Sequence, residues 1–255
     1  MEFLTSAVTD IGISKQTNQD SLLIKTANTK IGKVVFGVIC DGMGGLAKGE
    51  LASATVIKAF SNWFVTELPK LIECGMQRDL LVNCLTRLIR EQNQLILNYG
   101  KSVGINLGTT VCAILLTEND YLCVNVGDSR CYEISDDYVQ ITKDQTLIQR
   151  EIDYGVLTLE QAKNDPRRSV LLQCVGGNEN VNPDFYYGVT KLNATYMLCS
   201  DGFRHEITEA EIHSKFHPNL LLSKENINAN AIELIELNKS RGETDNITTL
   251  LIRTY

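Results

Sequence analysis

The stretch KVVFGVICDGMGGLAKGE, residues 33–50, joins an apolar run to an acidic, glycine-rich turn. Its first part, mostly apolar and rich in β-branched residues, predicts a buried β-strand that ends at Cys40. Asp41 follows at once, and Gly42 and Gly44 carry no side chain, so the backbone can approach a ligand closely. The pattern predicts a carboxylate held at the end of a rigid strand, beside an exposed backbone carbonyl.

Short β-rich runs and two long segments of helical periodicity make up most of the remaining chain. Apolar spacing predicts helices over residues 50–68 and 79–99, the second with Asp79 as N-cap and Gly100 as C-cap. Shorter helices are predicted over residues 146–154, 158–163 and 225–239. The other strand segments are DSLLIKTA, TTVCAILLT, YLCVNVG, RCYEIS, YVQIT, ATYMLCS and NITTLLIR. The pattern indicates an α+β fold, in which helices pack on the faces of antiparallel sheet.

The composition is that of a globular protein: 255 residues, 44% hydrophobic and 22% charged. No stretch resembles a linker, so we predict one domain over residues 1–255. The net charge is −7 and the basic residues are scattered, which argues against a nucleic-acid partner. The N-terminus lacks a basic region, and no apolar run approaches the ~18–20 residues of a membrane helix. We therefore expect a soluble, cytoplasmic monomer with no membrane partner.

The eight cysteines form no Cys-x-x-Cys pair, and most lie inside apolar runs. This placement favours small buried side chains in a reducing compartment over disulfides or a zinc site. Some nucleophilic cysteines stand in an anion-binding loop of the form Cys-x5-Arg. The match from Cys84 to Arg90 lies on a helical apolar stripe without glycine, where no anion cradle can form.

Five aspartates stand where predicted strands begin or end: Asp20, Asp41, Asp128, Asp201 and Asp245. One such aspartate would be an ordinary turn residue, but Gly or Ser flanks four of the five. If the five converge, their like charges raise one another's pKa, and a bound divalent cation relieves the repulsion. Oxygen ligands favour Mg²⁺ or Mn²⁺, with Ca²⁺ less favoured and zinc disfavoured.

Six motifs occur in the order KQTNQDS, CDGMGG, LGTT, VGDSR, LCSDGF and GETDNIT. Together they resemble the metal-dependent serine/threonine protein phosphatases of the type 2C (PPM) family, in the subtype with Asp-Gly-Met-Gly-Gly. The resemblance extends from about Thr9 to the last residue. It implies two packed antiparallel sheets flanked by antiparallel helix pairs. It also implies hydrolysis of phosphoserine and phosphothreonine in proteins phosphorylated by serine/threonine kinases, by a water that bridges two Mg²⁺ or Mn²⁺ ions.

The resemblance assigns a role to each motif aspartate. Asp41 would bridge the two ions, and the Gly42 carbonyl would bind one of them. Asp201 and Asp245 would complete the ligands of the first ion. Asp128 would bind a third, weaker ion that it shares with Asp201. Asp20 would orient the attacking water without binding an ion itself; it completes the predicted catalytic set with Asp41, Asp201 and Asp245.

Three positions depart from the pattern that most or some family members show. Lys15 stands where most members carry a phosphate-binding arginine, so we expect phosphate binding without a bidentate contact. Met43 stands where some members have a histidine that protonates the leaving group, which implies that water does so here. Gln19 replaces a glutamate near the second ion, so water would supply much of that ion's ligation.

Residues 144–172 correspond to a flap beside the active site of family members, where Arg167 and Arg168 could steer a phosphopeptide. Surface positions without a catalytic role are predicted for the three histidines, His205, His213 and His217, and Gln145 is given no role. The alternative to an enzyme is a silent, phosphatase-like domain that binds phosphoproteins. Such domains usually lack a metal-binding carboxylate, whereas Asp41, Asp201 and Asp245 are all present here.

Overall fold

The computed structural model of the protein describes residues 1–44, 48–163 and 165–255. Gly45, at the end of the DGMGG turn, and Asn164, in the predicted flap, lie outside the described residues. The strands are β1 (Phe3–Asp10), β2 (Ser21–Thr29), β3 (Gly32–Cys40), β4 (Gly42–Gly44), β5 (Leu107–Thr109), β6 (Val111–Leu116), β7 (Asp120–Val126), β8 (Arg130–Ile134), β9 (Tyr138–Gln140), β10 (Asp184–Val189), β11 (Thr195–Cys199) and β12 (Ile247–Thr254). The helices are α1 (Gly49–Thr66), α2 (Leu68–Glu73), α3 (Arg78–Val103), α4 (Leu147–Asp153), α5 (Leu159–Lys163), α6 (Asp201–Arg204), α7 (Glu209–Phe216) and α8 (Lys224–Ser240), with a 3₁₀ turn at Pro218–Leu220.

Two five-stranded sheets form the centre of the fold. Sheet A has the strand order β1-β12-β11-β8-β9, and sheet B has the order β10-β7-β6-β3-β2. Every pair of neighbours within them is antiparallel. The short strands β4 and β5 pair separately, directly after β3 and directly before β6. The predicted α+β fold with two antiparallel sheets is confirmed.

Apolar side chains fill three layers. Between the sheets, Val35 and Ile39 of β3 belong to one buried cluster with Leu250 and Ile252 of β12. On the outer face of sheet B, aromatic residues of α1 pack against Phe36, with Phe60 at 5.8 Å and Trp63 at 5.3 Å between ring centroids. On the outer face of sheet A, residues of α6, α7 and α8 form the third cluster. Helices therefore cover both faces of the sheet pair, which leaves the ends of the strands for a site.

The long helices occur where the apolar periodicity predicts them, but the caps of α3 differ from the prediction. Gln77, not Asp79, is the N-cap, and Gly104 is the C-cap in the left-handed conformation, with φ 71°. Gly100 lies inside the helix. Glycine is required there because a Cβ would stand 2.7 Å from the carbonyl oxygen of Ile105. This glycine serves close packing of the returning chain and does not end the helix.

Four strands were absent from the prediction: β4 and β5 form the short separate pair, and β1 and β10 are edge strands of the five-stranded sheets. An edge strand is half-exposed and paired on one side, so its sequence is more polar and its alternation weaker. The eight cysteines all lie within the described residues and are free thiols; five are buried, as predicted, and Cys74 is exposed. Among the described helices, none is both long and apolar enough to cross a membrane.

Candidate functional site

The register of sheet B places two of the five aspartates side by side. In the β2–β3 pair, Ser21 lies opposite Cys40. Asp20 precedes Ser21 and Asp41 follows Cys40, so both carboxylates leave the sheet at the same end. Asp20 is buried, and Asp41 is half-buried.

The register of sheet A gathers the other three aspartates. Cys199 of β11 lies opposite Arg130 of β8 and Thr249 of β12. Asp201 follows β11, while Asp128 and Asp245 precede β8 and β12, so all three occupy one end of sheet A. A hydrogen bond from Ser200 Oγ to Asp20 Oδ2, 3.0 Å long, joins this end of sheet A to the corresponding end of sheet B. We call these five residues the aspartate cluster.

Burial and mutual repulsion together raise the pKa values of three acids of the aspartate cluster. Burial raises the pKa of Asp41 well above its usual range, and four other carboxylates raise it further, those of Asp20, Asp128, Asp201 and Asp245. Burial raises the pKa of Asp20 to about 7, although the nearby hydroxyl groups of Thr248 and Ser200 oppose the shift. Burial also raises the pKa of Asp128 to about 7, with Asp201 adding to the shift and Arg204 opposing it. Such a cluster of acids favours bound cations.

Polar motif residues fix the backbone of Asp41. Its amide N–H donates to Thr110 Oγ1 at 2.9 Å, and its carbonyl accepts from Thr109 Oγ1 and from the amide of Thr110, both at 2.9 Å. Thr110 Oγ1 also lies 2.7 Å from Ser129 Oγ. The LGTT and VGDSR motifs therefore hold the carboxylate of the CDGMGG motif in place.

Gly42 lies where two other backbone segments approach closely. A Cβ at this position would stand 2.3 Å from Gly49 O and 2.5 Å from Gln19 O. When the side-chain amide of Gln19 is oriented so that both neighbours are satisfied, its nitrogen donates to Gly42 O at 3.3 Å and its oxygen accepts from Gly49 N at 3.2 Å. Only glycine fits this position, and its carbonyl keeps a second lone pair for another partner.

Glu243 and His205 connect the segments that carry Asp201 and Asp245. Glu243 is buried, and its Oε1 accepts from the amides of Thr244 and Asp245 at 2.7 and 2.8 Å. His205 Nδ1 lies 3.2 Å from Glu243 Oε2, and His205 Nε2 lies 3.5 Å from Asp201 Oδ2. The predicted surface placement of His205 is therefore wrong. His213 and His217 are also half-buried.

Half-buried charged side chains support the turn that carries Asp128. Arg204 donates to the carbonyl of Asp128 at 3.0 Å, and Asp144 binds Arg130 through two hydrogen bonds of 2.7 and 2.8 Å. Gln145, which received no role from the sequence, accepts from the amide of Gly127 at 2.9 Å. The start of the predicted flap is thus bonded directly to the Asp128 turn.

Asn246 holds the segment between β1 and β2, which carries Lys15. Its Nδ2 donates to the carbonyls of Ile11 and Thr17, and its Oδ1 accepts from the amide of Gln19. Lys15 Nζ lies 2.9 Å from Asp245 Oδ1, and the Lys15 side chain is 40% exposed. Partial burial lowers the pKa of Lys15, but the hydrogen bond to Asp245 and the nearby acids outweigh it and raise the pKa. The ammonium group therefore stands at the edge of the aspartate cluster.

The predicted flap leaves and rejoins the fold at one point. The amide of Leu172 donates to the carbonyl of Gln145 at 2.8 Å, and helices α4 and α5 lie between these residues. Arg167 binds both carboxylate oxygens of Glu151 at 2.9 Å and also pairs with Asp165. Arg167 is thus engaged within the flap segment, which disfavours a role in steering substrate, whereas Arg168 is exposed.

The donor set of the aspartate cluster fits Mg²⁺ or Mn²⁺. All donors are oxygens, and Oδ1 of Asp20 and Oδ1 of Asp201 are buried without a hydrogen-bond partner in the described part of the chain. However, across residues 1–44, 48–163 and 165–255, no three Asp, Glu, His or Cys side chains are arranged to hold an ion on their own. The cluster is therefore a set of carboxylates in one electrostatic field, with one Asp245 oxygen paired to Lys15, and not a complete coordination shell.

Comparison with known proteins gives consistent matches. A family model described as protein phosphatase 2C matches residues 13–233. The serine/threonine phosphatase stp of Listeria innocua is 31% identical over 219 residues, 84% of this chain and 82% of the relative. The S. agalactiae serine/threonine phosphatase structure covers 100% of both chains, with a TM-score of 0.85 and 27% identity. PstP/Ppp of Mycobacterium tuberculosis has a TM-score of 0.82 and 30% identity, covering 99% of this chain and 98% of that chain. A structure of the PstP catalytic domain contains two manganese ions.

Proposed function

This chain belongs to the protein phosphatase 2C family and is a metal-dependent serine/threonine protein phosphatase, and we propose that its reaction takes place at the aspartate cluster. The proposed substrates are phosphoserine and phosphothreonine side chains of proteins. The observation that carries the proposal is the convergence of five acids, three of which have raised pKa values, at one end of both sheets. We further propose that residues 1–255 form one catalytic domain with a flap over residues 144–172.

Two Mg²⁺ or Mn²⁺ ions would be held by Asp41, the Gly42 carbonyl, Asp201 and Asp245, and a weaker third ion by Asp128 together with Asp201. The assignment is supported by the oxygen-only donor set and by the unpartnered Oδ1 of Asp201. Two manganese ions in the related PstP catalytic domain agree with two ions here. When bound, such ions activate water as a nucleophile and neutralise charge on the phosphoryl oxygens.

The protein itself supplies a proton acceptor and rigid positioning. Asp20 has one oxygen bound by Ser200 and the other unpartnered, so Oδ1 can accept a hydrogen bond from the attacking water and orient it toward phosphorus. Thr109 and Thr110 fix the main chain of Asp41, and Glu243 fixes that of Asp245. Attack by water breaks the bond between phosphorus and the seryl or threonyl oxygen. That oxygen takes a proton from water, because Met43 cannot donate one.

The test of this function compares three phosphopeptides of one sequence that carry phosphoserine, phosphothreonine or phosphotyrosine. We expect turnover of the first two with Mn²⁺ or Mg²⁺, complete loss on adding EDTA, and recovery when the metal is restored in excess. The phosphotyrosine peptide and the metal-free sample are the controls. Turnover that persists in EDTA, or equal turnover of all three peptides, would count against the proposal.

Lys15 offers a separate prediction about phosphate binding. Its ammonium lies at the edge of the cluster, close enough to Asp245 to reach a phosphoryl group at the same site. Lys15→Ala is expected to raise KM for a phosphoserine peptide by about 10-fold and to change kcat less, because a charge-assisted hydrogen bond to the phosphate is lost. Lys15→Arg should restore the wild-type KM or lower it further, since guanidinium binds phosphate in a bidentate manner.

The control for Lys15 is Lys33→Ala, which removes a half-buried lysine paired with Glu2 elsewhere on the surface. Steady-state kinetics of the four proteins decide the question. Unchanged KM and kcat in Lys15→Ala would show that Lys15 does not bind the phosphate.

A further inference from the structure

A groove of about 470 Å³ lies beside the aspartate cluster. Its volume is within the range of about 300–1,000 Å³ typical of sites that bury a ligand. Apolar side chains and a thiol supply most of its inner surface: Met43, Ile96, Leu97, Ile105, Leu107 and Cys174. The proposed reaction uses none of these side chains as a donor or acceptor.

One wall of the groove continues the strand that carries Asp41. Strands β4 and β5 pair so that Gly42 lies opposite Thr109 and Met43 opposite Gly108. Thr109 donates to the carbonyl of Asp41, while Met43 and Gly108 line the groove. Met43 is two residues from Asp41, a separation of roughly 7 Å along an extended chain. The groove therefore begins about two residues from Asp41 along this strand.

The adjoining wall is the chain that leaves the predicted flap, and hydrogen bonds to β5 and α3 hold it in place. Val175 and Thr109 exchange two backbone hydrogen bonds of 2.9 Å. Asn93 of α3 is buried; it accepts from the amide of Gly176 at 2.7 Å and donates to the carbonyl of Asn178 at 2.8 Å. These bonds join the wall to α3, so the groove is already formed without a ligand.

The lining selects an apolar occupant. Lys101, the one charged residue among the groove's described lining residues, is 3.7 Å from Glu179, so its charge is partly neutralised. A basic side chain entering the groove would lose water without gaining a partner, and an acidic one would meet only Lys101, which is already paired with Glu179. An apolar side chain would be removed from water against apolar walls. A phosphoprotein whose phosphoryl group lies at Asp41 would have neighbouring residues within reach of this wall, since Met43 is about two residues away.

We propose that this groove is a subsite that binds an apolar side chain of the phosphoprotein substrate, two or three residues from the phosphorylated residue. The distance follows from the spacing of about 3.3 Å per residue in an extended peptide. The subsite rests on the proposed function, because it requires the phosphoryl group to lie at the aspartate cluster. It makes the enzyme selective for sequence as well as for the phosphorylated side chain.

The test uses a series of phosphoserine peptides. Each peptide carries a single leucine, at one of the positions from three before to three after the phosphoserine, and alanine at the others. For each enzyme, kcat/KM with Mn²⁺ is divided by that of the all-alanine peptide, so a loss of folded enzyme cancels. In the wild type, leucine at one position two or three residues from phosphoserine is expected to give a ratio of about 10, as burial of one leucine side chain would. p-Nitrophenyl phosphate, which is too short to reach the groove, reports on the aspartate cluster alone.

Two variants alter the groove in different ways. Leu97→Asp places a charge on its wall, and Asn106→Trp puts a large ring at an exposed lining position, where folding tolerates it. Both are expected to bring the leucine ratio close to 1. The matched control is Leu95→Asp, on the same helix but 56% exposed and outside the groove, which should keep the wild-type ratio.

The proposal is overturned if no position prefers leucine in the wild type, or if the ratio survives both groove variants. It is also overturned if those variants change the oligomeric state by gel filtration and leave the ratio intact, since the groove would then join two copies of the chain. A wild-type enzyme that hydrolyses p-nitrophenyl phosphate but shows no preference contradicts the subsite alone. A wild-type enzyme that turns over neither the peptides nor p-nitrophenyl phosphate contradicts the proposed function and the subsite together.

Discussion

Replacing Asp41 by asparagine is expected to lower kcat for a phosphoserine peptide by on the order of 10³-fold or more and, in metal-free protein, to raise the melting temperature. The first effect follows because an amide oxygen is a much weaker ligand for a divalent cation than a carboxylate. The second follows because the Asp41 carboxylate is destabilised by burial and by repulsion from four other carboxylates, and a neutral amide avoids both. One substitution would therefore separate activity from stability.

The matched control for Asp41→Asn is Asp120→Asn. Asp120 is an exposed aspartate at the start of β7, outside the cluster, so its replacement should leave kcat and the Mn²⁺ affinity near the wild-type values. Peptide turnover, calorimetric Mn²⁺ binding and thermal melts in EDTA supply the three readouts. A wild-type kcat in Asp41→Asn would show that Asp41 does not take part in the reaction. A melting temperature below that of the wild type in EDTA would show that the carboxylates of the cluster do not repel one another.

The metal-free protein is expected to lose stability as the pH rises from 5 to 8, and Mn²⁺ is expected to restore it at pH 8. Asp20 has a pKa of about 7 in the folded protein against 3.8 for an ordinary aspartate, and the pKa of Asp128 is raised similarly. An acid whose pKa is raised by folding binds more protons in the folded than in the unfolded state. Its contribution to stability is therefore complete below pH 4 and is lost as the pH rises through about 7.

The expected loss is on the order of a few kcal/mol, or roughly 10 °C in melting temperature for a protein of this size. Mn²⁺ should raise the melting temperature more at pH 8 than at pH 5, because protonated acids bind cations poorly. Asp41→Asn is the informative control, since one fewer repelling charge should flatten the pH dependence. Melts in EDTA that are independent of pH, or an equal effect of Mn²⁺ at both values, would contradict the electrostatic account of the site.

Local sequence patterns predicted the elements that are buried or strongly periodic. The apolar run ending at Cys40 is strand β3, and the stripe predicted over residues 79–99 is the central part of α3. The same patterns were weak at sheet edges, where β1 and β10 lie half-exposed. They also misassigned Gly100, because a glycine that ends a helix and one that permits close packing look the same in sequence.

The site was predicted less completely than the fold. Residue type and small neighbours identified the five acids, but nothing local indicated that Glu243 orders the amides of Asp245 or that His205 lies beside Asp201. Nor did the sequence show that Lys15 pairs with Asp245. Glu243 lies inside the GETDNIT motif, so the motif marked its position but not its role. No signal existed for Gln145, whose partner Gly127 is distant along the chain.

The sequence by itself determined which chemistry this protein can perform, because five aspartates at strand ends, four of them flanked by glycine or serine, specify hard oxygen ligands. The tertiary structure alone decided which of these carboxylates interact electrostatically and which are fixed by hydrogen bonds from neighbouring residues. It also decided where a substrate side chain could lie. The reason is physical: ligand type belongs to a single residue, whereas pKa, restraint and groove shape arise from segments that are distant in the chain. The bond from Ser200 to Asp20, across 180 residues, is the clearest example.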